Sequence, residues 1–255
     1  PHDNVSPVKS VPGSPSPASW PAVSLFAGAA LLASLFLAWR ILAMADYLYP
    51  ILYEPAGIGA HIDRFGPENR FRQGFEKTSR EERQRLFSEI GQAIRMHGEG
   101  LESLSYHDAE GNKLGALLRP PEIVHLQDVA RLVGRLETAG AAALFLLALQ
   151  LVMLRRQRRS LPALSRMLML TAAGVLLGAL AILVIGPVKV FYALHHWVFP
   201  AEHQWFFFYQ DSLMSTMMKA PDFFGYVAAA LLSLAVLLLC LMLSAASRYT
   251  RSTAR

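Results

Sequence analysis

The chain has 255 residues, 53% of them hydrophobic and only 17% charged, with a mean hydropathy of +0.32. Soluble domains carry about a quarter charged residues, so the composition implies a membrane protein and excludes an ordinary soluble enzyme. A net charge of +5 does not signal nucleic acid, because the arginines gather at the ends of apolar runs instead of interleaving with aromatics on a polar domain.

Residues 1–19, with Ser-Pro steps at Ser6, Ser14 and Ser16 and no apolar periodicity, read as a disordered tail. Four charge-free runs follow, at 11–39, 138–154, 167–188 and 223–247. About 20 apolar residues cross the ~30 Å of hydrocarbon in a bilayer, so the fold class is an all-α membrane protein with four transmembrane helices. Their expected bounds are 20–45, 138–154, 167–187 and 223–247. The first run ends in Ala43-Met44-Ala45, which resembles a signal-peptidase site. Its length and Arg40 near its end favour a retained span.

Residues 46–137 form a long connection read as a small, mainly helical extracytoplasmic cap. Ser79-Arg80-Glu81-Glu82 fits a capping box, and Leu86, Phe87, Ile90, Ala93 and Ile94 recur at helical spacing, predicting an amphipathic helix over about 79–97. Glu110-Gly111-Asn112 signals a turn, and a new helix starts near Pro121 and runs on, with or without a bend, into the second span.

Residues 155–166 contain Arg155, Arg156, Arg158, Arg159 and Arg166, and residues 248–255 contain Arg248, Arg251 and Arg255. Short connections rich in Lys and Arg stay cytoplasmic, which places both termini inside and the cap and residues 188–222 outside. The twelve basic residues of the cap do not oppose this, since connections beyond about 60 residues translocate largely regardless of charge.

Two clusters carry chemistry. Glu122, His125 and Asp128 are spaced by three, so neighbours lie within reach on one helical face, and a carboxylate beside an imidazole raises its basicity and fixes its tautomer. A solvated polar face is the plain alternative. A metal site would need a carboxylate-rich partner helix, which the sequence lacks. The second cluster runs from Phe191 to Phe224 and holds His195, His196, Phe199, Trp205 and Asp211 among dense aromatics. An interfacial aromatic belt explains the rings but not the ionisable groups, which are functional candidates at membrane depth. The third and fourth spans contain no histidine, which argues against haem, and Cys240 lies alone in the fourth run, without the companions of a disulfide, zinc or iron–sulfur site. A Gly-x-Ser-x-Gly elbow and a phosphate-binding glycine loop are absent from the sequence. A histidine and an acid in each outer segment suit acyl or headgroup chemistry on a lipid.

Glu122-x-x-His125-x-x-Asp128-Val129, with Phe191, His196-x-x-Phe199, Trp205, Asp211-x-Leu213 and Pro221-x-Phe223-Phe224, resembles the lipoprotein intramolecular transacylase (Lit) family of bacterial integral membrane proteins. Asp46-Tyr47-Leu48-Tyr49-Pro50 at the exit of the first span also fits, and the likeness covers about residues 22–247. The resemblance implies a bacterial inner-membrane enzyme that moves the sn-2 acyl chain of a diacylglyceryl lipoprotein to the α-amino group of its N-terminal cysteine, giving the lyso form. It implies no cofactor and no metal, with lipoproteins and membrane lipids as partners. The resemblance makes His125 and His196 the catalytic pair, with Asp128 or Glu122 poising His125. It gives His195, Tyr49, Trp205, Asp211, Phe199 and Phe224 to substrate binding. His195 stands where the family pattern has an aromatic, a register that could exchange the roles of the two neighbouring histidines. A non-catalytic scaffold that binds a partner through the cap, or a diverged lipid-modifying enzyme, is the rival expectation, and convergence of the two histidines on one groove is what separates them.

Overall fold

A computed structural model describes residues 16–251. Two short strands, β1 (Ser16–Pro17) and, later, β4 (Arg159–Ser160), pair in parallel at one end of the bundle. Part of the segment expected as tail is thus ordered against the connection between the second and third spans, and the rest of that tail lies outside the described residues. Between them in sequence come α1 (Trp20–Met44), α2 (Tyr49–Leu52), α3 (Ile58–Phe65), α4 (Arg80–Arg95), the strands β2 (Ser105–His107) and β3 (Lys113–Ala116), and α5 (Pro120–Arg156). After β4 follow α6 (Leu164–Ile185), α7 (Pro187–Val198), α8 (Leu213–Met217) and α9 (Asp222–Arg251).

Four of these helices, α1, α5, α6 and α9, are long and apolar enough to cross a membrane. Helix α1 is the centre of the bundle. Its small residues Ala29, Ala30, Ala33, Ser34 and Ala38 are buried, which lets neighbouring backbones approach where burial from water gives no drive. Gly140 of α5 marks the closest approach: a Cβ added there would lie 2.3 Å from Cγ of Phe36. Phe26, Ala143, Leu147, Leu239 and Leu243 complete this core. Helix α6 differs, because Met167 is its only buried residue, so nearly all of its apolar surface faces outward.

Helix α5 is 37 residues long, about 55 Å at 1.5 Å per residue against the ~30 Å of hydrocarbon. Its charge-free part, 138–154, is the length that a membrane covers, and the first turns stand beyond it. Pro120 and Pro121 occupy the first turn, where a missing N–H costs nothing. Glu122 completes the start by accepting from the Arg119 backbone N–H at 2.7 Å.

Residues 46–119 and the start of α5 build a cap with its own core at that end. The chain leaves α1 through Asp46, Tyr47 and Leu48, all at positive φ, a conformation that non-glycine residues hold only under tertiary constraint. Tyr47 packs on Trp39 with ring centroids 4.8 Å apart. The amphipathic helix expected over about 79–97 is α4, with Ser79 as its N-cap accepting from Glu82 N–H at 3.1 Å. Leu86, Phe87 and Ile90 point inward to Tyr49, Phe75, Tyr106 and Phe223. The Glu110-Gly111-Asn112 turn joins β2 to β3 as an antiparallel hairpin. Arg83 is buried here and fully used, donating to Tyr53 OH at 2.7 Å, Thr78 Oγ1 at 2.9 Å and the Glu76 carbonyl at 3.0 Å.

Candidate active site

The predicted residues fall into two places: some gather around His125 and His195, and the others lie in the packing of the cap and of the α8 region. His125 lies on the first turns of α5, packed edge-on to Phe199 (centroids 5.1 Å) and tilted against Phe207 (5.9 Å). Burial lowers its pKa to about 4, opposed by the nearby Asp128 carboxylate and assisted by His195. Its imidazole is therefore neutral at ordinary pH, and its Nδ1 is buried without a hydrogen-bond partner.

His195 faces it from the last turn of α7. Gly186, at φ 101°, breaks the apolar run after α6, and Pro187 starts α7, so the outer connection expected from 188 opens as a helix. On that helix His195 Nδ1 lies 2.8 Å from the Phe191 carbonyl, one turn back. The ring is framed by Phe191 (4.0 Å), Trp205 (4.6 Å) and Phe199 (5.5 Å). Phe199 thus packs against both imidazoles. His196 is exposed on the neighbouring face of α7, 5.9 Å from the Trp205 ring. Of the two neighbouring histidines it is His195 that packs on Phe199, because a one-residue step along a helix turns a side chain by about 100°.

Asp128 does not hold His125. Its carboxylate, with a side chain only 4% exposed, accepts from Nδ1 of His203 at 2.6 Å and pairs with Arg131. Glu122 does not serve His125 either. It is fully buried, bonded to the Arg119 N–H and to Oγ of Ser212 at 2.5 Å, and Ser212 is the N-cap of α8. Burial raises its pKa. It joins α5 to α8.

Three residues expected in a substrate groove lie elsewhere. Tyr49 is buried in the cap core, stacked on Phe87 at 4.2 Å and donating to the Met217 carbonyl at 3.0 Å. Asp211 pairs with Arg70 at 2.7 Å, tying the connection before α8 to the cap. Phe224 is half exposed beside Phe223 at the start of α9. Trp205 and Phe199 do line the histidine cluster. Spacing along the sequence missed His203, Phe207 and Ser212, which reach α5 from 75 or more residues away and have no periodic signal of their own. Among the described residues, no three His, Cys, Asp or Glu side chains converge as a metal site would require.

The cluster offers one neutral imidazole with an unpartnered nitrogen and a second imidazole packed on the same phenylalanine, with Phe191, Trp205 and Phe207 as further aromatic neighbours. Such a place can move a proton to and from an apolar, ester-bearing molecule.

A family model described as lipoprotein intramolecular transacylase Lit matches residues 25–224. Among solved structures, the chain is similar to a single-residue variant of the membrane integral lipoprotein intramolecular transacylase Lit from Bacillus cereus, with a TM-score of 0.65 at 16% identity, covering 91% of this chain and 92% of that one. At that identity the likeness carries the fold. No curated protein matches the chain.

Proposed function

The chain belongs to the lipoprotein intramolecular transacylase Lit family, and from that premise we propose that it moves the sn-2 acyl chain of a diacylglyceryl lipoprotein to the α-amino group of the same lipoprotein's N-terminal cysteine. The observation that carries the reading is the pairing of His125, neutral and with a free buried nitrogen, with His195 packed on the same Phe199. The arginine-rich connections favour a cap and site on the outer face of the bacterial inner membrane, with both termini inside.

In the proposed reaction the α-amino nitrogen attacks the sn-2 ester carbonyl. An α-amino group with a pKa near 7.7 to 8.0 needs only a modest base once its nitrogen begins to bond to carbon. His125, neutral, takes that proton on its imidazole. His195 uses Nδ1–H on the Phe191 carbonyl, so in its protonated form Nε2–H is the donor left for the ester oxygen. It steadies the developing oxyanion and then protonates the departing sn-2 oxygen. The C–N bond forms, the C–O bond breaks, and the proton taken by His125 restores His195 through solvent. The products are an amide and a secondary alcohol within one molecule, so no second lipid is consumed. His196, though expected as the second catalytic histidine, contributes at the rim through Trp205 in this scheme.

The test is expression in a bacterial strain lacking its own lipoprotein N-acylation, with mass spectrometry of an abundant lipoprotein's N-terminal peptide. The expected peptide has unchanged total acyl mass with one chain on nitrogen, and reverts to the diacylglyceryl form with His125→Gln. An unmodified peptide despite good expression of the parent would refute the activity and favour a scaffold.

A further inference from the structure

The connection from α7 to α8 runs from Phe199 to Ser212 without a long element of its own, having only a single turn of 3-10 helix at Tyr209–Asp211. Two of its side chains, Phe199 and Phe207, nevertheless pack against the His125 ring. Between them His203 reaches α5 and bonds to Asp128 at 2.6 Å. Asp128 follows His125 by three residues, so the attachment point lies almost one turn along the same helix face. An irregular segment of this length loses its order readily unless tied, and among its described contacts with α5 this bond is the polar one midway between the two phenylalanines.

We infer that His203 is a positioning residue for the proposed base: by bonding to Asp128 it clasps residues 199–208 to α5 and so holds Phe199 and Phe207 over His125. The inference rests on the reading of His125 as the base. Arg131 pairs with the other oxygen of Asp128, so the carboxylate that His203 meets is held on both sides. The charged and titratable groups bearing on the pair are Asp128 and Arg131 from α5 and His195 from α7, with Glu202 exposed beside His203. Release of the clasp admits water to His125, removes the burial that keeps it neutral, and returns it towards an ordinary histidine.

Two variants separate the bond from the ring. His203→Asn keeps an N–H donor close to the position of Nδ1, and His203→Phe keeps the ring without the donor. With the full chain in lipid and a synthetic diacylglyceryl lipopeptide as substrate, the pH profile of kcat/KM for His203→Asn should match the parent. His203→Phe should show its acid limb displaced upward from about 4 towards ~6.5, so that near pH ~5.5 its rate relative to the parent falls about tenfold, with the ratio recovering above pH ~7.5. Substrate amine titration is common to both and cancels in the ratio. His203→Phe with the parent's profile, or both variants displaced alike, would overturn the inference. Hydrogen exchange on the parent tests it without a variant, since amides of 200–208 exchanging like an unstructured peptide would overturn it too. An inactive His125→Gln beside an undisturbed His203→Phe sinks this inference alone, whereas a fully active His125→Gln sinks the reading beneath it.

Discussion

Replacing Glu122 distinguishes a joint from a catalytic acid. Its carboxylate accepts from the Arg119 backbone N–H and from Ser212 Oγ, with the Arg119 guanidinium 3.4 Å away, and none of it reaches the surface. Glu122→Ala strands two buried donors, each costing about 1–3 kcal/mol, and leaves a small void. The expected loss is about 2–5 kcal/mol, or a fall in Tm of about 5–15 °C for a chain of this size. Glu122→Gln keeps the shape and an acceptor and removes the cost of burying a charge, so its Tm should stay within ~3 °C of the parent. The pH dependence has a definite sign. The folded-state pKa of Glu122 is raised by burial, so its contribution is largest below the unfolded carboxylate range and is lost as pH rises through the folded value. The parent should therefore gain stability relative to Glu122→Gln as the pH is lowered towards 4.5. Thermal unfolding of the purified protein, read beside kcat/KM, is the assay. A Glu122→Gln protein with unchanged Tm and activity down by more than about 100-fold would refute the reasoning, since that is the loss expected of a group in the proton-transfer step.

Three other outcomes are expected. His125→Gln should lose activity by about 100-fold or more with little change in Tm, and His195→Gln should lose more than His196→Gln; a dead His196→Gln beside an active His195→Gln would return the second role to His196. The lowered pKa of His125 means that its contribution to stability is present above the unfolded histidine range and is lost as pH falls through about 4, so acid unfolding should be milder in His125→Gln; equal acid sensitivity of parent and variant would count against its burial. Gly140→Val should weaken the contact of α1 with α5 by about 1–3 kcal/mol, because the added atoms meet Phe36 at 2.3–2.5 Å, and an unchanged Tm would mean that the two helices are not in contact there.

The spans were legible because a bilayer demands long uncharged helices, and the start of α4 was legible because the Ser79 cap and its apolar stripe are local. What the spacing of Glu122, His125 and Asp128 could not reveal is who else competes for each carboxylate. A three-residue interval says that side chains share a helix face, yet Asp128 is satisfied by His203 and Glu122 by Ser212, both brought in by a distant part of the chain. The placement of Glu122 three residues after Arg119, behind two prolines, held a capping signal that was open to reading. Tyr49 reads as a substrate-binding residue from the resemblance alone, because nothing local in the sequence says that the cap has a core of its own. The neighbouring histidines were separated only by the phase of α7, which depends on where Gly186 and Pro187 start the helix.

The unbroken course of α5 has a mechanical consequence. A helix cannot shorten, so a change in bilayer thickness is met by tilt. About 13 residues, or ~20 Å, separate His125 from the start of the apolar length at 138. Over that lever arm a tilt of about 10° carries the imidazole sideways by about 3.5 Å. Asp128 rides on the same rod, and His203, bonded to it from the connection after α7, makes that connection follow, so the two shift together relative to the lipid surface.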